Sequence, residues 1–227
     1  AYRKNASWDV FRNAVEANPT TPIMDPKDPS LYYNFKGQTA GYNPLELLKK
    51  DKSTGTTKLL DWDGTVKLNL LPLLLNKEDR QTLTTQLTFA DHQYDNYNQW
   101  FRPSTSTLAI NAGREGEASQ DYSKSAVRTL EWITNYANSF GNHNIKAMAG
   151  YSYQYEQYSG LNAANKDFPN DALEDNNLGS GTYAKDEGEL GMGSYKNDSK
   201  LISFFGRVSY DWKGRYMLTA SLRHEGS

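Results

Sequence analysis

An apolar/polar alternation of period two, sustained for eleven residues from Leu60 to Leu70, most constrains what this chain can fold into. Leu60, Trp62, Gly64, Val66, Leu68 and Leu70 hold the even positions; Asp61, Asp63, Thr65, Lys67 and Asn69 hold the odd ones. Successive side chains of a strand point to opposite faces, so this pattern predicts one long strand with an apolar and a polar side. The alternation returns between Asn144 and Tyr155, where Ile145, Ala147, Ala149, Tyr151, Tyr153 and Tyr155 oppose Lys146, Met148, Gly150, Ser152 and Gln154. It is clearest near the end of the chain. Phe204, Gly206, Val208, Tyr210 and Trp212 alternate with Phe205, Arg207, Ser209 and Asp211, and the pattern resumes at Tyr216, Leu218, Ala220 and Leu222. Lys213-Gly214 is expected to form a two-residue hairpin turn between them. Weaker alternation over residues 82–94 and 124–140 predicts two more strands, with Gly141-Asn142-His143 turning the second into the strand from Asn144.

Between these strands, long connections of roughly 50, 20 and 40 residues (4–56, 102–122 and 158–198) alternate with short ones (72–80, 141–143 and 213–214), whereas compact domains connect elements with about 4 to 6 residues. Short turns therefore gather at one end of the sheet and long loops at the other. The first long loop carries a helix signal, with Ser7 placed to cap Trp8 to Ala17 before Asn18-Pro19 ends it.

Composition separates the possible environments. The longest apolar run, Leu70 to Leu75, holds six residues and a proline, far short of the roughly 20 that a spanning helix needs. With 13% aromatic residues, including 16 Tyr and 5 Trp, the chain is too rich in rings to be disordered. A balance of 25 basic against 27 acidic side chains provides no field for nucleic acid. The absence of cysteine removes disulfides, thiolate metal sites and thiol nucleophiles. Both ends look cut, since Ala1 is no initiator and Ser227 follows directly on a strand pattern, so a mature segment or fragment is expected.

Long antiparallel strands, short turns at one end and long loops at the other together describe an outer-membrane barrel. The expected fold is all-β: an antiparallel up-and-down transmembrane β-barrel segment of about six long strands. Such a barrel needs about 8 strands to close, so the chain is expected to be part of a larger one. Aromatic girdles are expected from Phe140, Trp212 and Tyr216 near short turns and from Tyr151, Tyr153 and Tyr155 near a long loop. The competing reading is a secreted, soluble β-sheet glycan-binding module, in which Leu60, Val66, Leu68, Val208 and Leu218 would bury into a dry core. Sandwich strands are usually about 5 to 6 residues long, which counts against it.

The run SFFGRVSYDWKGRYMLTASLRHEGS (Ser203 to Ser227) closely resembles a hairpin of SusC/RagA-type TonB-linked outer-membrane transporters of the Bacteroidetes. The stretch from Gly150 through FPNDALEDNNLGSG (Phe168 to Gly181) resembles the loop before that hairpin. The resemblance implies a 22-stranded barrel with an N-terminal plug, energised by TonB and importing oligosaccharides or peptides beneath a SusD-like surface lipoprotein. Residues 1–227 would then supply middle barrel strands and extracellular loops of one TonB-dependent receptor barrel domain, in contact with outer-membrane lipid. No plug segment that would meet TonB is expected among them, and the resemblance carries over neither a catalytic residue nor a cofactor.

Ring-bearing loop residues are the candidate substrate contacts: Tyr32, Tyr33, Trp100, Phe101, Tyr155 and Tyr158, whose flat faces can stack on sugars or pack on peptide side chains. The other reading of each is a girdle or a loop pin. His92, His143 and His224 are too scattered to form a zinc site or triad. Gly179-Ser180-Gly181-Thr182-Tyr183-Ala184 matches G-x-G-x-x-A without a strand before it or a helix after it, and reads as a loop. Asp167, Asp171, Glu174 and Asp175 could hold calcium but miss the EF-hand spacing, so a solvated face with an Asn170-capped turn is expected. Asp61 and Asp63 share a face that could be lumenal, and Asn5-Ala6-Ser7 and Asn197-Asp198-Ser199 are glycosylation sequons without weight in a bacterial barrel.

Overall fold

A computed structural model describes residues 2–3, 8–75, 81–188 and 191–227. The Ser7 cap, the first sequon and much of the 72–80 turn lie outside the described residues.

Among the described residues, seven strands form one sheet in strict chain order. They are β1 (Tyr2–Arg3), β2 (Lys52–Asn69), β3 (Gln81–Arg102), β4 (Glu117–Phe140), β5 (His143–Lys166), β6 (Met192–Trp212) and β7 (Tyr216–Gly226). Each strand pairs with the next in sequence, the up-and-down arrangement of a barrel wall. The six long strands match the expected number, but four of them run for 21 to 24 residues and extend well into what the sequence suggested were loops. Missed portions such as Lys52 to Lys58 are polar or glycine on both faces and so carry no alternation to read.

The described chain clusters into two compact units. One comprises Leu59–Tyr94, Lys124–Tyr158 and Lys196–Ser227. Most of its large apolar side chains are not buried: Leu60, Trp62, Val66, Leu68, Leu87, Trp132, Phe204, Val208, Leu218 and Leu222 are all exposed, Leu222 by 77%. Burying a Leu, Val or Phe side chain gives about 1.5–3 kcal/mol. Leaving these ten wet would forgo an amount comparable to the roughly 5–15 kcal/mol that usually keeps a domain folded. The face suits hydrocarbon, and the dry core required by the soluble glycan-binding module is absent among the described residues.

Register sorts the two faces. Phe204, Gly206, Val208, Tyr210 and Trp212 pair across β6 and β7 with His224, Leu222, Ala220, Leu218 and Tyr216. On the opposite face Ser203, Arg207 and Ser209 meet Glu225, Ser221 and Thr219, with Ser203–Glu225 and Ser209–Thr219 side-chain bonds of 3.0 and 3.1 Å. The turn differs from the two-residue loop expected. Lys213 and Gly214 both take positive φ, 56° and 65°, and the Arg215 amide donates to the Trp212 carbonyl at 3.0 Å. Arg215 is an extra residue, so Trp212 faces Tyr216 rather than Arg215. That insertion keeps both rings, stacked at 5.6 Å, on the apolar face, which a two-residue loop would not.

The other unit comprises Ala1–Lys58, Asp95–Ser123 and Ser159–Tyr195 and holds the long loops. Helix α1 (Trp8–Glu16) is followed by α2 (Pro44–Lys49), whose Asn43 cap accepts from the Leu45 and Glu46 amides at 3.1 and 3.4 Å. In the other loops lie α4 (Thr107–Asn111), a 3-10 turn over Glu174–Ser180 and the single-turn α5 (Tyr183–Asp186), α3 being Leu70–Leu75 of the first unit described. A small core of Phe101, Ala118 and Phe168, with Leu178 against it, sits among these loops.

Candidate functional site

The loop-bearing unit is held by charges placed where strands hand over to loops. Asp51 directly precedes β2, Arg102 ends β3 and Glu117 begins β4. The Arg102 guanidinium forks onto Asp51, with Nη2 at 2.8 Å and Nε at 3.2 Å, and gives Nη1 to Glu117 at 3.1 Å. Lys166 supports Glu117 from β5 at 3.6 Å. All three members of the Arg102 cluster are largely buried. Burial pushes the Asp51 carboxyl up, with the Arg102 bonds working against it and the charges of Glu46 and Glu117 adding to it. Burial acts to lower Arg102, but the hydrogen bonds and charges of Asp51 and Glu117 outweigh it and hold the guanidinium above its ordinary value.

A second tie joins the first loop to the β3–β4 loop. Glu46 is 2% exposed, and its Oε1 accepts from the Thr107 amide at 2.9 Å while the Thr107 hydroxyl donates to Oε2. It thereby caps α4, which has no side-chain cap of its own from Ser106. Lys50 pairs with Glu46 at 3.4 Å and donates to the Thr105 carbonyl at 2.5 Å.

The four loop carboxylates are committed separately, which corrects the expected solvated face. Asp167 pairs with Arg114 at 3.0 Å, Asp171 accepts from the Ser104 amide and hydroxyl, Glu174 pairs with Lys52, and Asp175 accepts from Gln99 at 2.6 Å. Asn170 does cap the Ala172 amide at 3.0 Å. Pinned to four different partners, the carboxylates do not converge on one cation. The G-x-G-x-x-A run also differs in part, because its last two residues, Tyr183 and Ala184, open α5, but at four residues after a 3-10 turn that helix offers no phosphate cradle. His92 bonds Asp61 at 2.9 Å and His143 bonds the Tyr210 hydroxyl at 2.6 Å, each on its own.

The ring-bearing candidates fall into different settings. Phe101 is 3% exposed within the loop core, so its ring pins the loop and is closed to a ligand. Tyr32 lies under the Lys50 ammonium at 5.4 Å, Tyr33 meets Phe35 edge-on at 6.0 Å, and Trp100 is covered by the Arg102 guanidinium at 4.9 Å. These four belong to the loop-bearing unit; Tyr155 and Tyr158 belong to the other. Tyr155 accepts from Gln157 at 2.9 Å, and Tyr158 is 44% exposed.

Sequence reasoning missed a concavity of about 290 Å³ in the loop-bearing unit, lined by Thr56, Lys58, Asp95, Tyr97 and Tyr122. The spacings 56/58 and 95/97 mark one face of each strand, but only the register between strands brings those faces together.

Long up-and-down strands with an exposed apolar face, and loops pinned by buried ion pairs, define the wall of an outer-membrane-type β-barrel. No family model matches the chain. It is 34% identical over 127 residues to TonB-dependent receptor P3 of Formosa agariphila, covering 56% of this chain and 12% of that protein. It is 33% identical over 224 residues to TonB-dependent receptor P39 of the same organism, covering 96% and 19%. Among solved structures, the RagAB peptide importer in its closed-closed state superposes with a TM-score of 0.64 at 16% identity, covering 86% of this chain and 20% of that one. Its open-open state gives 0.64 at 17%. The chain is SusC/RagA-like TonB-dependent receptor sequence, as the C-terminal hairpin implied. It spans about a fifth or less of the length of these relatives.

Proposed function

We propose that this chain builds part of the wall and the outer loops of a TonB-dependent importer in the bacterial outer membrane, one that takes up oligosaccharides or peptides with a SusD-like surface lipoprotein. TonB would act through a plug elsewhere in the receptor. The observation that carries this reading is the exposed apolar face of β2, β3, β6 and β7 backed by a hydrogen-bonded polar face. In this reading Tyr32, Tyr33, Trp100, Tyr155 and Tyr158 are the rings available to cargo, and no step requires catalysis.

Topology provides the test. The chain contains no cysteine, so single cysteines report position unambiguously in a receptor cleared of any others. Ser180→Cys in the long loop should react with a membrane-impermeant maleimide on intact cells, Lys213→Cys only after the cells are opened, and Leu218→Cys in neither case until detergent is added. Labelling of Lys213→Cys and Ser180→Cys from the same side would refute the reading.

A further inference from the structure

We propose that the apolar face of β4 to β7 holds a site for one anionic, phosphate-bearing lipid of the outer leaflet, an inference that rests on the reading of this face as membrane-facing. An apolar trough would take acyl chain and a cationic rung beyond it the phosphate. Around Gly206, which has no side chain to fill the space, Ala149, Phe204, Val208, Ala220, Leu222 and His224 enclose a concavity of about 550 Å³. A second hollow of about 230 Å³ adjoins it at Ala149 and Phe204 and reaches Trp132 and Tyr151. The Tyr151 and Phe204 rings meet at 5.2 Å across β5 and β6. Glycine and two alanines on three adjacent strands let a hydrocarbon chain approach the backbone, with rings on either side to add dispersion contacts. His224 lines the trough opposite Phe204 in the β6–β7 ladder, and its ring makes no hydrogen bond among the described residues. Hydrocarbon alone would leave that N–H without an acceptor, whereas the ester or amide carbonyl of a lipid supplies one.

Register carries the same face from the trough to charge. Arg128 lies four residues from Trp132 on β4, Tyr155 four from Tyr151 on β5 and Lys200 four from Phe204 on β6, each toward the long loops. Trp132, Tyr151 and Phe204 are neighbours across these strands, so Arg128, Tyr155 and Lys200 share a rung about 13 Å farther along. Arg128 pairs through Nε with the buried Asp91 at 3.6 Å yet is half exposed, which leaves its other N–H groups open to an anion. Lys196 and Lys200 are exposed on this face without an acidic partner among the described residues, and Asp198 between them offsets one charge. Depth fits a headgroup. Trp212 and Tyr216, beside the short turn, mark the inner interface. From Trp212, a strand tilted by about 40° rises roughly 15 Å to Gly206 and roughly 30 Å to Lys200, against an apolar band about 25 Å tall. The trough therefore lies in the outer half of the hydrocarbon and the cations just beyond it, where anionic headgroups attract Lys and Arg. A zwitterionic phospholipid would set its own ammonium among these cations. A neighbouring protein chain would have to bring acids to Arg128 and Lys200, whereas an anionic lipid already carries the charge.

The experiment uses the full-length receptor, delipidated in detergent and titrated in native mass spectrometry with monophosphoryl lipid A, the same lipid dephosphorylated, and phosphatidylethanolamine. One monophosphoryl lipid A should bind before either of the others, at least about fivefold more tightly. Lys200→Gln should weaken it about fivefold, as should Arg128→Gln made together with Asp91→Asn so that no carboxylate is stranded. Ala220→Phe, which fills the trough, should weaken it about tenfold, and Lys213→Gln at the short turn should leave it unchanged. If Ala220→Phe does not insert, Lys200→Gln, at an exposed position beyond the apolar band, still provides the loss-of-binding measurement. Equal binding of the phosphorylated and dephosphorylated lipids, no loss in Lys200→Gln, retention by an inserted Ala220→Phe, or a protein chain copurifying in place of the lipid would each overturn the proposal. Any of these with Leu218→Cys still shielded until detergent is added removes the lipid site alone, whereas labelling of Leu218→Cys on intact cells removes the membrane reading beneath it.

Discussion

Replacing Arg102 with methionine should open the loop end of the strand wall. The substitution keeps much of the side-chain bulk but removes the fork onto Asp51 and the bond to Glu117. Side-chain exposures of 19% for Arg102 and 13% for Asp51 make this a largely buried pair that solvent screens little. Removing one member of such a pair leaves an uncompensated charge and costs about 3 kcal/mol, the lower end of the range for buried pairs. Glu117 keeps Lys166 at 3.6 Å, so the cost falls on Asp51 and the start of β2. In hydrogen exchange under conditions where opening is fast and reversible, about 3 kcal/mol is roughly a hundredfold faster exchange. The assay is exchange mass spectrometry on the full-length receptor, comparing peptides covering 47–55 and 115–121 with β6–β7 peptides as an internal reference. Asp51→Asn added to Arg102→Met should recover most of the protection, because it removes the stranded charge. Exchange within threefold of wild type in the single variant, or no recovery in the double, would refute the assignment of Arg102 as the clamp.

Four further outcomes follow from the same geometry. Leu218→Arg should destabilise the inserted barrel by about 2–4 kcal/mol, as a cation facing lipid does near the bilayer midplane, whereas Thr219→Arg on the polar face should cost under 1 kcal/mol; urea unfolding in lipid vesicles distinguishes them. Glu46→Ala should remove the α4 cap and strand Lys50, for roughly 2 kcal/mol of loop stability, seen as faster tryptic cleavage after Lys49 and Lys50, with Glu46→Gln intermediate. Gly150→Val should be poorly assembled because a Cβ there would run into the Phe205 ring, and Phe205→Ala should rescue it in a heat-modifiability gel. Because Asp51 titrates above its unfolded value of 3.8, the folded loop takes up its proton first. This group therefore adds stability as pH falls through that window and withdraws it as pH rises, and Asp51→Asn should flatten that slope in exchange measured between pH 4 and 6.

What the sequence reveals depends on what each face of a strand meets. Between Leu60 and Leu70, and from Phe204 to Leu222, one face is apolar because it meets hydrocarbon, so period two is visible and the strands are found. At Lys52 to Lys58 both faces are polar or glycine, and at Asn162 to Lys166 the only apolar side chains are the adjacent Ala163 and Ala164, so no alternation separates strand from loop. The extra residue at Arg215 could be read in advance from parity, since Trp212 and Tyr216 are both even and a two-residue turn would have put one of them on the wrong face. The Arg102 clamp could not, because residues 51, 102 and 117 have no fixed spacing and meet only through register. Phe101 shows the same limit from the other side: a ring in a polar segment reads as a contact whether it is free or, as here, buried against Ala118 and Phe168.

Strand length explains why the polar ties matter. At about 3.3 Å per residue, the 24 residues of β4 extend roughly 80 Å, while a tilted barrel strand crosses the apolar band in about 9 to 11 residues. More than half of such a strand lies beyond hydrocarbon, where a lipid-facing stripe contributes nothing. Order there must come from side chains that bond across strands, as Thr54–Gln99, Thr57–Asn96 and the Arg102 cluster do, and from loops that bring their own carboxylates to the wall. Substitutions in the two regions should therefore fail differently: those on the Leu218 face in insertion and barrel stability, those around Arg102 and Glu46 in loop order while insertion proceeds. A receptor carrying Arg102→Met that no longer inserts would contradict that division.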